Sequence, residues 1–221
     1  MNFFKDFVGK YINMELSGAK QEGILVDYGL DMAVLYNGEN YSYIPVSHIR
    51  NLRLSIIVDS LDPPNPLVGP INFNTGTISY REILDNAKEL FIEISVIGNQ
   101  LIYGYITEIF EDYFVFFSPV YKTILIPLDH LKWLSLLNRG QTYYTLSKQE
   151  ISKEPNLFKP ASTFKEQLNQ LIGNIIIVDM GNTPYKSGLL KDVTSEFIKL
   201  ITADEESVFF SIKHVQLVQL P

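Results

Sequence analysis

Cysteine is absent from this chain of 221 residues, which excludes disulfides, thiolate metal sites and thiol catalysis and leaves the redox compartment unread. Basic residues are scarce: 18 Lys and Arg stand against 25 Asp and Glu, a net charge of −7. With a pI near 5.0 and no basic run, a partner held mainly through its phosphates is not expected, because such binding rests on cations that release counterions. No apolar run approaches membrane-spanning length. The opening Met1-Asn-Phe-Phe-Lys-Asp-Phe7 has no basic segment followed by a long apolar stretch, so synthesis in the cytoplasm without a signal peptide, and no membrane partner, are the expectations. Nucleophile elbow, phosphate-binding glycine loop and His-Glu zinc pattern are all missing, and no enzymatic activity and no cofactor are expected. What the chain does have is 46% hydrophobic and 13% aromatic residues with only 19% charged, the composition of a folded protein with ample core material.

The chain contains three histidines, and each falls at the same place in a repeated phrase: Ile44-Pro-Val-Ser-His48-Ile, Ile126-Pro-Leu-Asp-His130-Leu and Phe210-Ser-Ile-Lys-His214-Val. Upstream of them stand Gly23, Gly104 and Gly188, at separations of 25, 26 and 26 residues. An acid follows each glycine by four residues (Asp27, Glu108, Asp192) and another by eight (Asp31, Asp112, Glu196). Further upstream Gly9 and Gly173 correspond, with Lys88 taken as the equivalent point of the middle copy. Matched columns across three copies mark a triplication. The reading is repeat 1 over 1–58, a Pro-rich linker over 59–78, repeat 2 over 79–137, a second linker over 138–162 and repeat 3 over 163–221. Units of 50 to 60 residues leave too much surface wet to be stable alone, so the copies should lean on one another.

Each copy opens on a short helix, at about Asn2 to Val8 in the first and after the capping boxes Ser79-Tyr-Arg-Glu82 and Thr163-Phe-Lys-Glu166 in the others. β character then dominates. Tyr11–Leu16, Phe91–Val96 and Ile175–Met180 read as first strands, each rich in β-branched and aromatic residues. The second strand carries the repeated glycine and the first acid, and the second acid falls at the next turn, where a carboxylate caps backbone N–H groups. Third strands (Met32–Tyr36, Tyr113–Phe117, Phe197–Thr202) and fourth strands (Tyr41–Val46, Thr123–Leu128, Ser207–Ile212) follow, then the His corner and a short fifth strand.

A helix followed by a bent five-stranded sheet, with Gly in the second strand and a tight corner between strands four and five, resembles the Sm-like barrel. Gly23-Ile-Leu-Val-Asp-Tyr-Gly-Leu-Asp31-Met-Ala-Val-Leu35 is similar to the first Sm motif, and Ile44-Pro-Val-Ser-His48-Ile occupies the place of the second. The fold expected is therefore mainly β: three tandem Sm-like barrels, each a short N-terminal helix plus a five-stranded bent antiparallel sheet. RNA-binding Sm proteins surround the base with an Asn and an Arg-Gly pair. Here the Asn column holds Ala33, Phe114 and Ile198, and the Arg-Gly column holds Pro45-Val46, Pro127-Leu128 and Ser211-Ile212, none of which reads the edge of an unstacked base. Nearly the whole chain also resembles the repeat region of the spore coat protein B family of bacilli. The third copy carries this best, in Leu171-Ile-Gly-Asn-Ile175, Gly181-Asn-Thr-Pro-Tyr-Lys-Ser-Gly188-Leu-Leu190 and Val208-Phe-Phe-Ser-Ile-Lys-His214-Val215. The family's Ser/Lys-rich tail is absent from this sequence.

That resemblance implies a non-enzymatic structural component of the spore coat, deposited there from the mother-cell cytoplasm, with other coat proteins and further copies of itself as partners. It brings no catalytic residues. His48, His130 and His214 are read as corner residues that hydrogen-bond the bend, in preference to metal ligands, because each copy supplies one and no neighbouring ligand recurs. Gly23, Gly104 and Gly188 and the acid columns Asp27/Asp31, Glu108/Asp112 and Asp192/Glu196 are likewise read as structural, since two carboxylates without an Asp/Asn-rich loop do not make a calcium site. The competing readings are an Sm-like RNA-binding regulator and a small-molecule or metal-binding module between barrels.

Overall fold

The computed structural model describes residues 3–55, 78–98, 100–137, 144 and 159–221. The expected linkers fall almost wholly outside them. The chain is mainly β, antiparallel throughout, and the described residues hold two α-helices. Repeat 1 opens on a 3-10 helix, Phe3–Phe7, and supplies β1 (Tyr11–Leu16), β2 (Ala19–Tyr28), β3 (Met32–Tyr36), β4 (Tyr41–Pro45) and β5 (Ile49–Leu54). Repeat 2 supplies α1 (Tyr80–Ala87), β6 (Ile92–Ser95), β7 (Leu101–Ile109), β8 (Tyr113–Ser118), β9 (Lys122–Pro127) and β10 (Trp133–Leu136). Repeat 3 supplies α2 (Phe164–Gln170), β11 (Ile175–Val178), β12 (Ser187–Val193), β13 (Phe197–Ile201), β14 (Ser207–Ser211) and β15 (Val218–Leu220).

Both helices carry the expected N-cap, and one of the two expected boxes is complete. The Ser79 hydroxyl accepts from the Glu82 N–H at 3.2 Å, and Thr163 and Glu166 make a complete reciprocal box. Two local expectations are corrected. The strand expected to run to Met180 stops at Val178, because Asp179, Met180 and Gly181 take φ of 47°, 63° and 61° and turn the chain into a 3-10 segment. In repeat 2 the counterpart of Gly9 and Gly173 is Glu89 rather than Lys88: all three have positive φ (78°, 93° and 62°), and each ends the opening helix before the first strand.

Two compact units divide the chain, and the division runs through the middle repeat. In the first unit the strand order is β6-β10-β4-β3-β2-β1-β5. In the second it is β14-β13-β12-β11-β15-β9-β8-β7. Repeats 1 and 3 thus each carry the strand order five-one-two-three-four. A barrel closed on itself would join strands four and five of one repeat, and this does not happen among the described residues. Strand four of repeat 1 pairs instead with strand five of repeat 2, Tyr43 opposite Leu134. Strand four of repeat 2 pairs with strand five of repeat 3, Leu125 opposite Val218.

The cores follow the same sharing. In the first unit, Phe4, Ile12, Met14, Leu25, Leu35 and Ile44 of repeat 1 pack with Trp133 from repeat 2. In the second, Phe164, Leu168, Ile198 and Leu200 of repeat 3 pack with Tyr113, Val115 and Leu125 from repeat 2. Alternation explains how one strand serves two repeats. Tyr113 and Val115 point one way along β8 into the core of repeat 3, and Phe114 and Phe116 point the other way, all four nearly free of water. The run Tyr113-Phe-Val-Phe-Phe117 is continuous in hydrophobicity because both faces are covered.

Candidate functional site at the repeat junctions

Of the columns singled out in the sequence, Asp31, Asp112 and His130 reach from one repeat to the next, and the glycines and the first acids act within their own repeat. The repeated glycines let strand two approach the end of strand three. A Cβ on Gly23, Gly104 or Gly188 would land on the carbonyl oxygen of Tyr36, Phe117 or Ile201 respectively.

Just beyond each glycine, strand two carries a bulge, with register breaks at Leu25/Asp27, Ile106/Glu108 and Leu190/Asp192. The first acid stands at that bulge. Asp27 and Asp192 each accept the N–H of the following residue, Tyr28 at 2.8 Å and Val193 at 2.9 Å, which fixes the carboxylate against the backbone just past the bulge.

The second acid reaches across the junction. Asp31 Oδ1 accepts the Tyr80 N–H at 2.9 Å, and Asp112 Oδ1 accepts the Phe164 N–H at 2.7 Å. Tyr80 and Phe164 are the first residues of α1 and α2, so an acid of one repeat binds the open N-terminus of the next repeat's helix, where orphan donors and the helix dipole both favour a carboxylate. The expected turn cap is thus a clasp between repeats. Glu196 holds the same column in repeat 3, is exposed, and accepts no helix N–H among the described residues. Replacing Asp112 by Ala should cost the second unit ~1 kcal/mol, and Asp31→Ala the first unit a similar amount, as for a lost helix cap. Glu196→Ala should fall within about 0.5 kcal/mol of the parent. Urea titration of the three variants checks this ranking.

A buried polar link supports the second clasp. The Tyr113 hydroxyl lies 2.9 Å from the Ala161 carbonyl and 3.1 Å from Gln167 Oε1, and Gln167 Oε1 also accepts the Ala161 N–H at 2.9 Å. Burial pushes the Tyr113 phenol up to about 12, so it stays a neutral donor.

Of the His column, His48 and His130 are half-buried and His214 is exposed. His130 Nε2–H donates to the Lys213 carbonyl at 3.2 Å. The ring therefore binds the corner of the next repeat, where its own bend had been expected. Burial lowers the His130 pKa from its usual 6.5 and nearby His214 pushes the same way, while the Lys213 carbonyl, Asp129 and Asp179 oppose them. A lowered folded pKa means that folding favours the neutral ring. Its contribution is complete above 6.5 and is lost as pH falls from 6.5 through the folded value. Acidification from about pH 7.5 to 5 should lower the urea midpoint of the second unit, and His130→Gln should flatten that fall.

Repeat 3 has one feature the others lack. Its Gly181-Asn-Thr-Pro turn is tied down by Asp179, which accepts the Gln216 N–H at 2.8 Å and pairs with Lys186 at 3.5 Å. Among the described residues no three metal-ligating side chains gather, and no helix is long and apolar enough to cross a membrane. Sequence reasoning had no access to the junction partners Tyr80, Phe164 and Gln167. Their signal was the capping boxes, which located the helix starts but not the acids that bind them.

The family described as YwrJ third domain matches residues 163–218, the span of the third repeat. Over its full length the chain is 37% identical across 225 residues to a Bacillus subtilis (strain 168) protein described as "Uncharacterized protein YwrJ", covering all of both chains. On that identity and coverage, this chain belongs to the YwrJ family.

Proposed function

We propose that this protein is a non-enzymatic structural component of the bacterial spore coat, built of three Sm-like units and assembling through exposed sheet edges. One observation carries the reading: the repeats are joined strand four to strand five, twice, by the same pairing, a connection that serves equally well between chains. Unpaired strand edges are templates for further association. The five-one-two-three-four strand order and the shared His corner support the Sm-like comparison, and the Gly181-Asn-Thr-Pro stretch of repeat 3 supports the likeness to spore coat protein B. Other coat proteins and further copies of the chain are the partners this reading names.

The burial of the column that reads RNA in Sm proteins weighs against a nucleic-acid role. Ala33, Phe114 and Ile198 are all fully buried, so no hydrogen-bonding group stands where a base would be read. Imaging a fluorescently tagged copy during sporulation tests the proposal. Signal should gather around the developing spore; a diffuse signal, or one confined to vegetative cells, would remove the coat assignment. Sub-micromolar binding of single-stranded RNA at low salt would favour the regulator instead.

A further inference from the structure

We propose that copies of this chain join head to tail, β14 of one copy pairing antiparallel with β5 of the next in the register that places Phe209 opposite Leu52. This rests on the edge-assembly reading above and names its partner as a second copy.

The register comes from the two internal junctions. In the first, Tyr43 pairs with Leu134, and in the second, Leu125 pairs with Val218. Counted from the His of each repeat, both put the fifth residue before one His against the fourth residue after the next. The two positions still unused in that scheme are Phe209, before His214, and Leu52, after His48. β14 pairs with β13 alone and β5 with β1 alone among the described residues, so each keeps one open side.

Side chains on both edges fit the pairing. In repeats 1 and 2 the face that meets the next repeat is buried: Met32, Val34 and Tyr43 at 0%, Tyr113 and Leu125 at 0%. The same columns in repeat 3 hold Phe197, 42% exposed, Phe209, 61% exposed, and in the place of Val34 the residue Lys199, whose Nζ lies 5.7 Å from the centroid of the Phe209 ring. Leu54, 50% exposed on β5, falls opposite Ser207 and beside Phe209. Where Tyr113 meets Gln167 at the second junction, the corresponding pair would be Phe197 and the next copy's Phe3, itself 64% exposed. A polar pair is thus replaced by an apolar one at both of its positions together. Charge agrees as well: Arg50 and Arg53 are exposed on β5, and Asp204, Glu205 and Glu206 are exposed in the turn just before β14, with Arg53 diagonal to Glu206 when this register is continued. His214 would reach the next copy's Ser47 carbonyl, as His130 reaches Lys213.

Such an interface uses two different surfaces, so each copy can both give and receive. The test uses two full-length variants at exposed positions, Phe209→Asp and Leu54→Asp, with circular dichroism to establish that both fold. Wild type should show a mass that grows with concentration in sedimentation velocity. Each variant alone should dissociate ~10–100-fold more readily, and an equimolar mixture should give a dimer and nothing larger, because one intact β14 and one intact β5 remain. Since the chain has no cysteine, a mixture of Leu52→Cys and Phe209→Cys should form an oxidised dimer that neither makes alone, and Leu54→Cys with Phe209→Cys should not. Assembly that survives both aspartates, or a cysteine pair that fails to link in an assembling protein, would overturn the register while leaving edge assembly standing. A wild type that stays monomeric at every soluble concentration would overturn joining between copies, and the coat role would then rest on localisation with other partners.

Discussion

Truncating Phe164 to alanine should lower the unfolding free energy of the second unit by ~3–5 kcal/mol, the range for a large aromatic removed from a dry core. Phe164 is the first residue of α2, 3% exposed, and its ring lies 6.0 Å from that of Tyr113. It belongs to the core of repeat 3, yet part of its surroundings comes from repeat 2, through Tyr113, Val115 and Leu125. Collapse around the missing ring is restricted on both sides. α2 is held by its capping box and by the Asp112 clasp on the Phe164 N–H, and β8 is held by pairing on both edges. A cavity that cannot relax places the cost toward the top of the range. Hydrogen exchange of the α2, β12 and β13 amides measures it directly, because these residues all lie within the second unit. Protection reduced by less than about tenfold would show that the ring is not a shared core element.

The periodic and punctuating features of the sequence carried most of this architecture. Strand positions followed from β-branched runs, with Tyr11–Leu16 and Met32–Tyr36 matching residue for residue, and both α-helices followed from their caps. The triplication exposed the columns that matter. Their meaning was only half legible, because a column reports recurrence and not partners. Asp31 and Asp112 read as turn residues, which they are along the chain, but the donors they serve are 49 and 52 residues away. His130 read as a corner residue, and its acceptor lies 83 residues further on. The exchange of strands between repeats was illegible for the same reason. A fifth strand such as Trp133–Leu136 looks alike whether it pairs with its own repeat or with a neighbour, and only long-range pairing decides. Glu89 was missed because a charged residue with positive φ leaves no compositional mark where Gly9 and Gly173 do.

Substituting Gly104 by alanine should cost ~3 kcal/mol, the upper end of overpacking, although the added group is a single methyl. The new Cβ would collide with the Phe117 carbonyl oxygen and lie 2.9 Å from Cε1 of the Phe116 ring. Neither can withdraw readily. The Phe117 carbonyl belongs to the β8 backbone, paired on both sides, and Phe116 is fully buried. Gly188→Ala meets the Ile201 carbonyl in the same way and should cost a similar amount, and Gly23→Ala adds strain at φ 156° to its collision with Tyr36. Gly173 is the control. It has φ 93° but nothing within 4 Å of a Cβ, so Gly173→Ala should lose only the ~1–2 kcal/mol of a residue forced left-handed. Denaturant midpoints of the four alanine variants should therefore separate the strand-two glycines from the turn glycine. If Gly173→Ala proved the most damaging, close approach would not be the costliest constraint on these glycines.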